Sequence, residues 1–224
     1  IIVQQGKRDV MNEAFRVLRT NIDLMLGRKD GSRVIMFTSF NPGAGKTFSI
    51  MNVAASMALK NTKVIIVDLD LRKATLSECL DRKHTGVAAY LNGKTDDFHP
   101  NVDELIPGLH ILPVGTLPPN PTELLLSDRF SRLLDELRNE YDYIFLDCPP
   151  IDIVADSNII TDKVDMSIFV LGSGRIHKEA IPSIEELYVS GKFRHMAILI
   201  NSVDYSDSRY GYGRKGYGYG YGYG

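Results

Sequence analysis

The stretch Ser39-Phe40-Asn41-Pro42-Gly43-Ala44-Gly45-Lys46-Thr47 decides the fold. Before it lies the apolar run Val34-Ile35-Met36-Phe37, short enough for a buried strand, and after it Met51, Ala54, Ala55 and Ala58 recur at helical spacing. Strand, glycine-rich loop and helix in this order make a phosphate-binding P-loop. Its small residues let backbone N–H groups curl round phosphate oxygens at a helix N-terminus. Lys46 is spaced to reach the terminal phosphates and the Thr47 hydroxyl to bind Mg²⁺. Gly43, Ala44, Gly45, Lys46, Thr47 and Phe48 are therefore the candidate nucleotide-binding residues. The strict motif has glycine at position 40, where this chain has Phe40, so the motif alone is weakened.

Outward from the loop, Val64-Ile65-Ile66-Val67, Tyr143-Ile144-Phe145-Leu146, Ile168-Phe169-Val170-Leu171 and Ala197-Ile198-Leu199-Ile200 repeat the pattern of the first strand. They are continuous rather than alternating, as expected of parallel strands covered on both faces. Helical stretches lie between them. Val10, Met11, Ala14, Phe15, Leu18, Ile22 and Met25 predict an amphipathic helix ending near Gly27. Asn120-Pro121-Thr122-Glu123 predicts another, with Asn120 as cap, Pro121 in the first turn and Glu123 closing a capping box. The reading is an α/β chain with a doubly wound, mainly parallel sheet of the P-loop NTPase kind, its ligand beyond the carboxyl ends of the strands.

At that edge the sequence is acidic. The second strand ends Val67-Asp68-Leu69-Asp70, which predicts two carboxylates on the same side of an extended segment beside the P-loop strand, and a later strand ends Leu146-Asp147. Any one of these is explained equally well as a solvated strand end. Three at one edge, together with the loop, point to a magnesium-phosphate site.

Composition adds boundaries. The 224 residues, 44% hydrophobic and 24% charged, suffice for one sizeable core, and the net charge of -2 gives no global reason to expect nucleic acid or an anionic membrane as partner. Cys79 and Cys148 stand in no disulfide or zinc spacing, which fits a reducing cytoplasm, and no apolar run nears the roughly 20 residues needed to cross a bilayer. A start at Ile1 without an initiator Met is expected of a domain cut from a longer protein, leaving room for an upstream membrane anchor. From Tyr205 the chain runs YSDSRYGYGRKGYGYGYGYG, with seven of its eleven tyrosines and almost no aliphatic residue. Alternate glycines make ordering costly, so residues 1–204 are expected to form one domain and 205–224 a disordered, flexible tail.

Taken together, the P-loop, the Asp68-Asp70-Arg72 segment and Asp147-Cys148-Pro149-Pro150 resemble the three Walker-type motifs of the bacterial tyrosine kinases that regulate capsule and exopolysaccharide export. Glu13-Ala14-Phe15-Arg16-Val17-Leu18-Arg19 resembles that family's ExxRxxR oligomerisation motif, and Pro118-Pro119-Asn120-Pro121-Thr122-Glu123-Leu124-Leu125 its PPNPxELL segment. The resemblance implies an ATP- and Mg²⁺-dependent autokinase. Lys46 would lie on the β/γ-phosphates, Thr47, Asp70 and Asp147 on or near the metal, and Asp68 would take the proton of the tyrosine hydroxyl. It also implies a ring-like homo-oligomer in contact through Glu13, Arg16 and Arg19, which on their residues alone read better as a salt-bridged surface stripe. Tyr205, Tyr210, Tyr212, Tyr217, Tyr219, Tyr221 and Tyr223 would be phosphorylated between subunits. A membrane-anchored polysaccharide co-polymerase region, fused or separate, and a tyrosine phosphatase would be partners, with the domain at the inner face of the cell membrane. Asn201, ending the last predicted strand, is open between an adenine contact and a structural role. Two other readings compete: a partition- or division-site ATPase switch, whose signature lysine is Asn41 here, and a nucleotide-binding domain whose tyrosine-glycine run serves only for stacking.

Overall fold

The computed structural model describes residues 1–27, 31–78, 85–151, 160–176 and 180–204; the expected tail at 205–224, with its seven tyrosines, lies outside them. The apolar runs become β1 (Arg33–Ser39), β2 (Val64–Asp68), β5 (Tyr143–Asp147), β6 (Met166–Gly172) and β7 (Met196–Asn201). With β3 (Asp103–Ile106) and β4 (Leu109–Leu112) they form one sheet in the order β3-β4-β2-β5-β1-β6-β7. Every neighbouring pair is parallel except β3 with β4. The winding reverses at β1, so the loop after it opens at a topological switch point.

The continuous apolar runs follow from burial on both faces. In β1, Ile35 and Phe37 join a core with Phe15 and Ile22 of α1 (Val10–Leu26) and Ile50, Val53 and Ala54 of α2 (Lys46–Ala58). The alternate residues Val34 and Met36 join a second core on the other face. Its helical side comes from α4 (Gly86–Leu91), which supplies Tyr90 and Leu91, and α6 (Asp128–Glu140), which supplies Phe130, Leu133, Leu134 and Leu137. Each side chain of that α6 stripe contributes about 1.5–3 kcal/mol by leaving water. Short helices α3 (Thr75–Glu78) and α5 (Pro121–Leu126) and the later α7 (Ile181–Val189) complete the described α-helices.

Three expectations are corrected. The hairpin of β3 and β4, joined through Pro107-Gly108, was not foreseen because its four-residue strands lack a long apolar run. The strand ending in Asp68 does not adjoin the P-loop strand, since β5 lies between them and pairs with both. At Asn120 no capping box forms: its Nδ2 donates to Glu123 Oε2 at 2.7 Å, and α5 stops after six residues, where Ser127 caps α6 instead.

Candidate functional site

The carboxyl edge of the sheet holds the loop and all three aspartates. Residues 40–45 link β1 to α2, and Gly43 and Gly45 take φ of 78° and 87°, the left-handed region that glycine enters without strain. At Gly45 space is also decisive, because a Cβ there would lie 1.9 Å from Asn201 Nδ2. Three of the loop carbonyls are held by side chains. Ser39 Oγ donates to Asn41 O at 3.0 Å, Arg175 Nη1 to Gly43 O at 2.6 Å, and Asn201 Nδ2 to Ala44 O at 3.1 Å. Asn41 Nδ2 in turn donates to the carbonyl of Arg175 at 3.0 Å. Phe40, the departure from the strict motif, is buried with its ring 5.4 Å from that of Phe169 on β6, so it fills the core and leaves the cradle intact.

Lys46 opens α2 and is buried, its Nζ donating to Asp147 Oδ1. Burial opposes its charge, but Asp147 and then Asp70 outweigh that and hold the ammonium above its ordinary range. Asp147, the last residue of β5, lies in register with Asp68 of β2 and Phe37 of β1. Burial pushes its carboxyl up against the pull of Lys46, and its second oxygen, Oδ2, is buried without a hydrogen bond. That orphaned acceptor beside a cradle of backbone N–H groups is the arrangement a cation-bound phosphate chain would complete.

Asp68 is fully buried. Its Oδ1 accepts Asp70 N–H at 3.1 Å, and its Oδ2 accepts both the N–H and the hydroxyl of Ser77, at 2.9 and 2.6 Å. Burial first, then Asp147, push its carboxyl up to about 7 against those three donors. Asp70 is not on a continued strand with it: β2 ends at Asp68, and the carbonyl of Asp70 accepts Lys73 and Ala74 N–H in a turn. Among the described residues no three His, Cys, Asp or Glu side chains converge to hold a metal by themselves.

The other predicted residues divide. Thr47 is half-buried at the start of α2, and Phe48 is exposed with its ring 5.9 Å from that of Phe15 on α1. Asn201 meets the loop rather than open space. Of the α1 set, Arg16 pairs with Glu13 at 2.8 Å and donates to Lys7 O, while Arg19 leaves that stripe and donates to Ser56 O on α2 at 2.6 Å. Sequence reasoning missed Ser77 and Arg175. Arg175 had a usable signal, since it follows Gly172-Ser173-Gly174 at a strand end on the same edge as the aspartates; Ser77 had none.

A model of the AAA domain family matches residues 32–172, which takes in the loop and the three aspartates. Tyrosine-protein kinase CpsD of Streptococcus pneumoniae is 37% identical over 213 residues, covering 91% of this chain and 92% of that protein. This chain belongs to the bacterial tyrosine-protein kinase family. Solved structures agree. The kinase resembles the kinase domain of Escherichia coli tyrosine kinase ETK with a TM-score of 0.73 and 30% identity, over 86% of this chain and 77% of that one. It resembles the chimerical protein CapA2B2 with a TM-score of 0.79 and 28% identity, over 89% and 88%. The kinase thus has the nucleotide-binding P-loop fold, and no helix among its described residues is long and apolar enough to cross a membrane.

Proposed function

We propose that this tyrosine kinase binds Mg-ATP on residues 43–48 and passes the γ-phosphoryl group to tyrosines of its own C-terminal run, each subunit serving a neighbour, in the control of capsular or exopolysaccharide synthesis and export. The observation that carries the reading is the buried cluster of Lys46, Asp147, Asp70 and Asp68 directly against the loop, in a chain that ends with seven tyrosines in its last twenty residues. In phosphoryl transfer, positioning and charge neutralisation do most of the work.

Lys46 and the N–H groups of the loop hold the terminal phosphates. Thr47, Asp70 and Asp147 would hold Mg²⁺, which when bound would neutralise phosphate charge. The acceptor hydroxyl oxygen forms the new bond to γ-phosphorus, the bond to the β–γ bridging oxygen breaks, ADP leaves, and the hydroxyl proton passes to Asp68. A carboxyl pushed up to about 7 suits that task, in which the acceptor hydroxyl takes the place of the Ser77 hydroxyl on Asp68 Oδ2. Residues 1–204 are then the catalytic domain and 205–224 the substrate segment. Glu13 and Arg16, with Arg19 behind them, meet a neighbouring subunit in a ring-like assembly. A membrane-anchored co-polymerase region would bring the domain to the inner face of the cell membrane, and a tyrosine phosphatase would reverse its modification.

The test mixes a Lys46→Met protein carrying its tyrosine run with an active protein lacking residues 205–224, supplies Mg-ATP, and follows phosphotyrosine. Phosphate on the inactive partner's run is expected. An unmodified run on the inactive partner, under conditions in which the intact wild type alone becomes phosphorylated, would overturn transfer between subunits, and release of inorganic phosphate with no phosphotyrosine in either sample would favour the ATPase-switch reading.

A further inference from the structure

Two residues that come from the far side of the sheet grip successive carbonyls of the phosphate loop. Arg175 follows β6 and donates to Gly43 O; Asn201 ends β7 and donates to Ala44 O. Both are themselves fixed. The backbone of Arg175 turns onto Gly172 O and accepts Asn41 Nδ2, and its side chain lies so close over Gly172 that a Cβ there would come within 2.9 Å of Arg175 Cδ. The carbonyl of Asn201 accepts Ser173 N–H at 2.8 Å, tying the two grips to each other.

A trans peptide is planar, so its C=O and N–H point in opposite directions, and the described chain has no cis bond. Drawing the Gly43 carbonyl outward therefore turns the Ala44 N–H inward, and drawing the Ala44 carbonyl outward turns the Gly45 N–H inward. Neither of these N–H groups has an acceptor among the described residues. We infer that Arg175 and Asn201 are positioning residues which, acting through the Gly43 and Ala44 carbonyls, hold two backbone donors of the P-loop ready for phosphate oxygens. The inference rests on the reading of this loop as the ATP phosphate site. It gives Asn201 a role that involves no contact with the base. It also supplies a reason for glycine at 45, where any side chain would displace the Asn201 amide. A preset cradle loses less order on binding than one that must form around its ligand, so the effect appears in affinity.

The experiment compares Asn201→Leu and Arg175→Met with the full-length wild-type protein by calorimetric titration with Mg-ATP and with Mg-tripolyphosphate, a probe without a base. Each variant is expected to bind both ligands more weakly by a common factor, about tenfold, the loss of one well-placed hydrogen bond. Arg175→Lys, which keeps a donor, should recover part of it. Melting temperature is followed in parallel, and Asn201→Ser, too short to reach Ala44 O, replaces Asn201→Leu should that variant not fold. If Asn201→Leu weakens Mg-ATP but leaves tripolyphosphate untouched, Asn201 is a base contact and the inference fails. Unchanged affinities in both variants would refute it, as would a fall in kcat for Arg175→Met at unchanged affinity, which would put the guanidinium on the transferring phosphoryl group. The underlying site reading fails separately if Lys46→Met binds tripolyphosphate as well as wild type does.

Discussion

Lys46 and Asp147 meet largely out of reach of water, with side chains only 10% and 1% exposed. Replacing Lys46 by Met removes the cation that stabilises the transferring phosphoryl group, and tyrosine phosphorylation is expected to fall at least about 100-fold. The burial adds a second consequence. Lys46 is what pulls the Asp147 carboxyl down against burial, so without it that carboxyl titrates still further above its unfolded value. The unfolded chain then releases its proton first, and the variant loses stability as pH climbs from about 4 toward neutrality. Melting temperature should therefore drop more at about pH 8 than at about pH 5, by the equivalent of about 3 kcal/mol at the upper end, and Asp147→Asn added to Lys46→Met should restore most of it. A pH-independent loss would contradict the ion pair. Asp68 follows the same sign. Its raised value, about 7, means that it carries a proton through the acid range and becomes a base only near neutrality. The Ser77 hydroxyl holds that value down, so Ser77→Ala should move the acid limb of the phosphorylation rate profile to higher pH.

At the scale of the element, α1 separates two arginines that share one spacing. Arg16 is satisfied on the outer surface by Glu13 and the Lys7 carbonyl, whereas Arg19 reaches across to the Ser56 carbonyl of α2, the helix that begins at the P-loop. An exposed i,i+3 pair contributes little to stability, while a charged donor on a half-buried carbonyl contributes about 1.5 kcal/mol. Arg16→Ala is thus expected to reduce self-association in light scattering with no change in melting temperature. Arg19→Ala should lower the melting temperature as well, so a loss of assembly in the double variant reports both effects at once. Assembly of Arg16→Ala like wild type would leave Glu13 and Arg16 as a surface stripe only.

At the scale of the whole molecule the charge of the last twenty residues sets the expected response to phosphorylation. Asp207 stands against Arg209, Arg214 and Lys215, a balance of +2 in the unmodified run that suits an acidic edge of the sheet. Each phosphate adds roughly -1.5 to -2, so two modified tyrosines reverse the sign and seven bring roughly -10 to -14. Single Tyr→Phe changes at Tyr217, Tyr219, Tyr221 or Tyr223 should change total phosphorylation little, because neighbouring tyrosines substitute for one another. Replacement of all seven should abolish most of it and leave the assembly permanently associated by light scattering. Heavy phosphorylation of the wild type with no change in assembly size would refute the charge switch.

Residues near one another in the chain were enough for much of this protein. Continuous apolar runs mark five of the seven described strands, and Gly43, Gly45, Lys46 and the strand-end aspartates announce a phosphate site, because each signal is carried within one strand, loop or helix. The short β3 and β4 escaped for the same reason, because charged or polar residues interrupt them before an apolar run can form. What lies outside local spacing is the insertion of β5 between β1 and β2, which puts Asp147 against Lys46 across 101 positions of chain, and the return of Arg175 and Asn201 to the loop from more than 130 positions away. Such pairings are set by the order in which strands join a sheet and by which cavities the packed side chains leave, and only the tertiary structure decides them.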